Sequence, residues 1–478
     1  MGLGALHRLS LSSNCLLDPV IRSVLIANRG EIACRIIRAC RLLGIQSIAV
    51  YSEADADALH RQMADRAVAI GPAPAIQSYL DSAKVLEAAR SQGADAVHPG
   101  YGFLSENAGF ASAVQEAGLA WIGPDPASMT AMGDKARARQ IAVASGVPVL
   151  PGSDRLPADD PQAWHAAAQT VGYPLLVKAV GGGGGIGMKR VDDAAALQAT
   201  VESAQAMAAK AFKHAEVYLE RFVSRARHIE IQIFGYGDGR AVHLFERDCS
   251  AQRRFQKIVE ESPAPHLPAD VRDRMAQAAL ALARHQRYSG AGTVEFIMDA
   301  VTHEFFFLEM NTRIQVEHAV TEAVTGWDLV QQQILLAGGM AEPVAQADIR
   351  SAGTAIECRV YAENPAKQFL PSPGRLDRFR LPAESPGLRV DCGVRENDVV
   401  TPYYDPMIAK LIAHGPTRHD ALQTMQRALA QVEIAGIRHN VPFLQSLLAH
   451  PDFLRGDVDT GFVDRNRAEL LAHMAALA

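Results

Sequence analysis

From residue 22 the chain alternates between short apolar runs and longer stretches whose apolar positions repeat at helical spacing. SVLIA, NRG and EIACRIIRACRLLG read as strand, tight turn and helix, with Ile32, Ile36, Ile37, Cys40 and Leu43 on one face. QSIAVYS (46 to 52), ADAVHPG and LAWIGP (119 to 124) read as further buried strands. Strands alternating with helices predict a parallel, doubly wound sheet. A proline-rich stretch from Val147 to Pro161 punctuates the pattern and predicts entry into a separate, movable unit. That unit holds YPLLVKA, a glycine run, an alanine-rich helical segment (194 to 211) and EVYLERFV, and has the size of a lid. Beyond it HIEIQIFG and AVHLFERD alternate like paired strands, TVEFIMD and EFFFLEMNTRIQVEH continue the sheet, and WDLVQQQILLAGG reads as a helix ended by glycine. After Pro343 come short strands and turns, among them AIECRVYAE and FLPSPGRLDRFRL, and a helix near 418 to 434, which predict a third domain of α+β type. The expected fold class is therefore multidomain, α/β followed by α+β, with no internal repeat.

Composition narrows the function classes. A chain of 478 residues is long enough for about three domains. With 47 basic and 53 acidic residues the formal charge is -6, so no global field draws in nucleic acid or an anionic membrane, and any bound anion needs a local cluster of cations. The six cysteines are scattered without a CxxC pair, which fits neither a zinc site nor a disulfide framework and points to a reducing, cytoplasmic setting. No apolar run approaches the ~18 residues of a membrane span. The first twenty residues, with Arg8, several serines and no acid before Asp18, have some features of a transit peptide, but a disordered leader or an early start codon is the favoured reading.

Four segments carry candidate chemistry. In KAVGGGGGIGMKR, Lys178 ends an apolar strand and a glycine run follows, a pattern suited to backbone N–H groups approaching phosphate; a flexible linker is the alternative, and the spacing is not that of a P-loop. In EFFFLEMNTRIQVEH, Glu309, Asn311, Arg313, Gln315 and Glu317 occupy every second position, so an extended chain would place all five on one face. With Glu295 on the preceding strand, that face offers hard oxygen ligands for Mg²⁺, against the alternative of a merely solvated edge. ERDCSAQRRFQKIVEESPAP sets Arg253, Arg254 and Lys257 among Glu246, Glu260 and Glu261, which fits a solvated face and the neutralisation of an anionic intermediate equally well. HPGYGFLSEN offers His98, Tyr101 and Glu106 on a loop after a strand, where a structural role for His98 is favoured.

Together IANRGEIACRIIRAC, HPGYGFLSEN, MGDK, KAVGGGGGIGM, ERDCSAQRRFQK, FLEMNTRIQVEH and ECRVYAE, in this order, resemble biotin carboxylase over about residues 22 to 463. The resemblance implies an ATP-grasp fold: a leader (1 to 21), an N-terminal doubly wound domain (22 to 131), an ATP-grasp domain (132 to 348) with a mobile lid at about 151 to 223, a C-terminal α+β domain (349 to 465) and a tail (466 to 478). It implies an ATP-dependent ligase that carboxylates biotin through carboxyphosphate, using ATP, Mg²⁺ or Mn²⁺, bicarbonate and carrier-bound biotin. ATP would meet Lys135, Lys178, Gly183, Gly184, Gly185, Gly187, Met188, Ile297 and the segment Glu220, Arg221 to Val223, with His228 and Gln252 near the ribose. Glu295, Glu309 and Asn311 would hold the metal. Arg313, Gln315 and Val316 would bind bicarbonate, Glu317 would be its base, Lys257 would steady the phosphoryl group, and Arg359 with Tyr101 would face biotin.

The sequence departs from the family pattern at Ile186, where arginine is frequent, at Phe255 for histidine and at Ala319 for proline, and the first two are expected to alter ATP kinetics without abolishing activity. It also contains no biotinyl Met-Lys-Met hairpin and no transferase-like segment. The resemblance thus implies a carrier protein and a carboxyltransferase on other chains, in a homodimer or hetero-oligomer, with no nucleic acid or membrane partner. Another ATP-grasp ligase and a catalytically silent ATP-binding subunit are the competing readings. The final acceptor, an acyl-CoA, pyruvate or urea, would be chosen by the transferase.

Overall fold

The computed structural model describes residues 21–157, 159–179, 188–212 and 216–477. Gly183, Gly184, Gly185, Ile186 and Gly187 lie outside the described residues, as does the leader through residue 20. Ile21, expected in the leader, is instead buried in the core beside Val24 and Ile334.

Five parallel strands, β1 (Ser23–Ile26), β2 (Gln46–Tyr51), β3 (Arg66–Ala69), β4 (Ala96–His98) and β5 (Ala120–Trp121), form the first sheet in the order β3-β2-β1-β4-β5, as the alternating pattern predicts. The strand order reverses between β1 and β4, where the loops leaving two strands diverge and open a crevice. Arg29 to Glu31 and the HPGYG loop lie at this point. Asn28 donates through Nδ2 to the carbonyls of Pro99 and Tyr101, both at 2.7 Å, and so lashes the second loop to the first. Gly100 has φ +63°, and a Cβ there would stand 3.0 Å from both Asn28 Nδ2 and Ile32 Cγ1, so the loop requires glycine.

The lid strands β6 (Leu175–Ala179), β7 (Met188–Val191) and β8 (Val217–Arg221) make a small antiparallel sheet in the order β7-β6-β8. Helices Pro161–Val171 and Leu197–Phe212 cover it, and Trp164, Leu175, Val177, Val201 and Leu219 form a core of its own. Each such buried side chain contributes ~1.5–3 kcal/mol relative to exposure.

An eight-stranded antiparallel sheet holds the rest together. Its order is β13 (Phe305–Asn311), β12 (Ser289–Asp299), β9 (Ala226–Tyr236), β10 (Ala241–Arg253), β11 (Gln256–Ser262), β14 (Thr354–Tyr361), then strands Met407–Gly415 and Leu388–Cys392. Pairing of β11 with β14, from Val259↔Cys358 to Ser262↔Ala355, carries the sheet across the boundary expected at residue 348. The third region is therefore α+β in content but shares its sheet with the second.

The alternation in HIEIQIF acquires a different meaning in three dimensions. Ile229, Ile231 and Ile233 pack onto helix Ala269–His285, while Glu230 and Gln232 point to the opposite face and are equally buried. A half-exposed strand would turn its polar side to water. Here that side is covered, and it carries the site.

Candidate active site

Four side chains stand in register across adjacent strands: Glu309 on β13 opposite Glu295 on β12, Glu295 opposite Glu230 on β9, and Glu230 opposite Arg247 on β10. Neighbouring strands are only ~4.8 Å apart and like charges directly opposite repel, so three carboxylates in a row need cations from elsewhere. Lys257 supplies one from β11. Its ammonium donates to Glu230 at 2.6 Å, Glu295 at 2.9 Å and Glu317 at 2.7 Å. His228 supplies another, its Nε2 standing 3.0 Å from Glu295 Oε2 while Nδ1 meets Gln252 at 3.0 Å. Burial alone would lower His228, but the Glu295 carboxylate outweighs it and raises the imidazole to about 9.

Glu317 lies between two cations, accepting from Lys257 through one oxygen and from Arg359 at 3.0 Å through the other. Burial would push its carboxyl up; Lys257 and Arg359 overcome this and hold it at about 2. Arg359 also reaches Glu260 at 2.5 Å. Glu295 is held well below the usual carboxylate range because Lys257 and His228 outweigh its burial. Glu309, more open, is pushed up by partial burial and by the neighbouring Glu295 charge. A carboxylate that resists ionising beside one already ionised, with Asn311 two residues along the same strand face, is a donor set suited to a hard divalent cation. The atoms that lie within 4.8 Å of one another, however, belong to His228, Glu230 and Glu295, and in a second group to Glu230, Cys249 and Glu317.

Arg247 was not singled out by the sequence pattern and is the best-connected group of the site. Fully buried, it donates to Glu230 at 2.6 Å, Gln232 at 2.7 Å, Thr321 at 2.9 Å, Thr293 at 3.1 Å and Gln315 at 2.6 Å. Removing one member of a buried ion pair typically costs ~3–5 kcal/mol because the other charge is left uncompensated. Arg247→Met is expected to lower stability by about that amount, read as a lower denaturant midpoint; a midpoint equal to wild type would remove this guanidinium from the scaffold.

Other expectations fare differently. The five alternating residues of EMNTRIQVE do not share an extended strand, because β13 ends at Asn311 and the chain turns so that Glu317 (φ -81°, ψ 10°) stands at the N-cap of helix His318–Thr325. The side chains converge nonetheless: Gln315 donates to Glu295 at 2.8 Å, and Arg313 donates to Asn311 at 2.9 Å and stands 3.2 Å from Glu106. The ERDCSAQRRFQK cluster is not a solvated face, since Arg253 is buried against Glu363, and Glu246, Glu260 and Glu261 are buried too. Arg254, Phe255 and Gln256 are exposed, the first two on a two-residue turn with positive φ. Lys178 pairs with Glu220 in the lid, and Lys135 lies 3.8 Å from Glu309. Val223 and Ile297 belong to one small apolar cluster with Leu150, Ala226 and Phe306. His98 is buried and accepts the Gly100 N–H at 3.0 Å, a structural role, and Tyr101 donates to Glu31.

The N-terminal sheet matches the family model described as biotin carboxylase, N-terminal domain (residues 20–129), and residues 357–465 match the biotin carboxylase C-terminal domain. Residues 134–343 match the carbamoyl-phosphate synthase L chain, ATP binding domain. Biotin carboxylase 1 of Bacillus subtilis is 47% identical over 445 residues, covering 93% of this chain and 98% of that protein. The chain belongs to the biotin carboxylase family. The biotin carboxylase domain of a thermophilic 2-oxoglutarate carboxylase, solved bound to bicarbonate, superposes with a TM-score of 0.89 at 40% identity over 94% of this chain and 99% of that one. The mitochondrial methylcrotonoyl-CoA carboxylase subunit alpha of Glycine max is 48% identical over 94% of this chain, and this chain spans only 61% of its length. As a biotin carboxylase family member, the chain has the ATP-grasp architecture. No helix among the described residues is long and apolar enough to cross a membrane.

Proposed function

We propose that the protein is the biotin carboxylase of a biotin-dependent carboxylase complex, an ATP-dependent ligase that joins bicarbonate to biotin on a separate carrier protein. The observation that carries this reading is the position of Glu317, held between Lys257 at 2.7 Å and Arg359 at 3.0 Å on the buried polar face. A base for bicarbonate must be ionised in the resting site, and Glu317 is; its basicity rises when either cation turns to an incoming anion.

ATP lies with its phosphates toward Lys135, Lys178 and the glycine run, including Gly183 to Gly185, Gly187 and Met188, and with adenine near Glu220, Arg221, Val223 and Ile297. His228 and Gln252 face the ribose. Glu295, Glu309 and Asn311 hold Mg²⁺ or Mn²⁺, which when bound neutralises phosphate charge. Arg313, Gln315 and Val316 seat bicarbonate while Glu317 takes its proton. The bicarbonate oxygen then displaces ADP from the γ-phosphorus, a transfer that depends on positioning and charge neutralisation, with Lys257 against the moving phosphoryl group. The resulting carboxyphosphate divides into CO₂ and phosphate. Phosphate takes the ureido N–H proton of biotin, the nitrogen adds to CO₂, and Arg359 steadies the negative oxygen that forms, with Tyr101 beside the ring. A carboxyltransferase on another chain selects the final acceptor, and the similarity to methylcrotonoyl-CoA carboxylase alpha subunits favours an acyl-CoA. A cytoplasmic homodimer or hetero-oligomer is the proposed setting.

The test is ATP hydrolysis by the purified chain with Mg²⁺ and bicarbonate, with and without free biotin. Bicarbonate-dependent turnover raised by biotin is expected. Tight ATP binding without turnover would establish a silent subunit instead, and turnover indifferent to biotin another ATP-grasp ligase.

A further inference from the structure

Lys410 lies on strand Met407–Gly415, between Arg359 and Asp391 as its two cross-strand neighbours, and its side chain is completely buried. Its ammonium donates to the Val316 carbonyl at 2.6 Å. Around it stand Glu31 at 3.6 Å, Glu357 at 3.9 Å and Asp391 at 3.9 Å. These neighbours lead to different parts of the site. Glu31, at the start of helix Gly30–Leu42, accepts the hydroxyl of Tyr101. Glu357 faces Glu260 in register across β11 and β14, and Glu260 touches Arg359. Asp391 is already bound by Arg38 and Arg389, both at 2.6 Å.

A buried ion is poor value as a stabiliser, because a well-packed hydrophobe in its place is often neutral or better. An ammonium placed where the N-terminal crevice, the loop after β13 and the C-terminal strands meet asks for another reason. The contacts through Val316, Glu31 and Glu357 end on the groups to which the proposed function gives biotin and bicarbonate, the one through Asp391 ends on Arg38 and Arg389, and none ends on the lid or on Lys135 and Lys178.

We propose that Lys410 is a positioning residue that fixes the bicarbonate loop through the Val316 carbonyl and, through Glu31 and Glu357, holds Tyr101 and Arg359 in register with it, so that the bicarbonate and biotin sites form together. This inference rests on the proposed carboxylase reaction. The residue touches no substrate and acts through its neighbours. Without the ammonium, the loop loses its anchor and the carboxylates around it repel one another, spreading both sites while the nucleotide site is left intact.

Steady-state kinetics of the full chain decide this. Lys410→Met is expected to raise KM for bicarbonate and for free biotin by about tenfold or more each, the usual effect of losing a charge-assisted hydrogen bond, with KM for ATP within about twofold of wild type. Should the three carboxylates prevent that variant from folding, Lys410→Met with Glu357→Gln removes one of them and is expected to give the same split, since the Val316 anchor is still missing. Lys410→Arg, which keeps the charge, is expected to recover much of the bicarbonate affinity. Unchanged KM values for bicarbonate and biotin, an ATP value rising in step with them, or failure of both Met variants to fold would each overturn the inference and leave Lys410 a structural residue. A wild-type chain without biotin-stimulated turnover would instead bring down the proposed function.

Discussion

Glu317→Gln is expected to leave a protein that still binds ATP but loses bicarbonate-dependent turnover by ~10²–10⁴-fold, the range typical of a positioned general base. The substitution keeps the shape of the side chain and removes its charge and its ability to take a proton. It also exchanges one acceptor for an amide N–H, which cannot face Lys257 or Arg359 without turning a donor toward a donor. Because the wild-type carboxyl is held at about 2, Glu317 is ionised in the free protein throughout neutral pH, and an acid limb in kcat/KM is expected to come from another group. The variant's rate is therefore expected to be low by a constant factor between about pH 6 and 8. ADP release at saturating ATP and bicarbonate measures it, and a residual rate within about threefold of wild type would exclude Glu317 as the base.

Arg359→Ala is expected to act later in the proposed reaction. Loss of one preorganised donor to a developing oxyanion typically costs ~10²–10³ in rate, and stimulation of ATP turnover by biotin is expected to fall by that amount. The bicarbonate-dependent rate without biotin falls less. Arg359 also separates Glu317 from Glu260, whose carboxyl is pushed up to about 7 by burial and by Glu317 despite the guanidinium beside it. Removing the cation leaves both acids without it, so reduced stability of ~3–5 kcal/mol is expected alongside the kinetic loss. Arg359→Lys separates the two effects, since it keeps a charge beside both carboxylates, which Arg359 meets through its single Nη2, but removes the planar guanidinium. Equal biotin stimulation in wild type and Arg359→Ala would remove this residue from the biotin step.

The first sheet was legible because its strands and helices follow one another locally, so periodicity over a few residues carries the whole pattern. Glu295, Glu309, Gln315 and Glu317 were legible because their residue types are out of place next to the apolar runs of β12 and β13. The strand end at Asn311 was not, since an alternating sequence is also compatible with a loop that turns into a helix cap. Arg247 and Lys410 were missed for a different reason. Lys410 is a single charge in an apolar strand and Arg247 stands between Glu246 and Asp248, and the meaning of each depends on partners far away in sequence, such as Gln315 and Thr321 for Arg247 or Glu31 and Val316 for Lys410. A lysine inside MIAKLIAHG was the one available signal, as an ion in an apolar run demands buried company.

The sheet that runs unbroken from β13 to strand Leu388–Cys392 limits how this catalytic centre can be inherited. Splitting or recombining the gene between β11 and β14 would leave each half with an open row of backbone donors and acceptors, a template for aggregation. It would also part Lys257 and Glu317 from Arg359 and Lys410, so neither fragment would carry a neutralised set of charges. Rearrangement of carboxylase components is therefore expected to keep the chain from β9 through strand Met407–Gly415 together as one cassette.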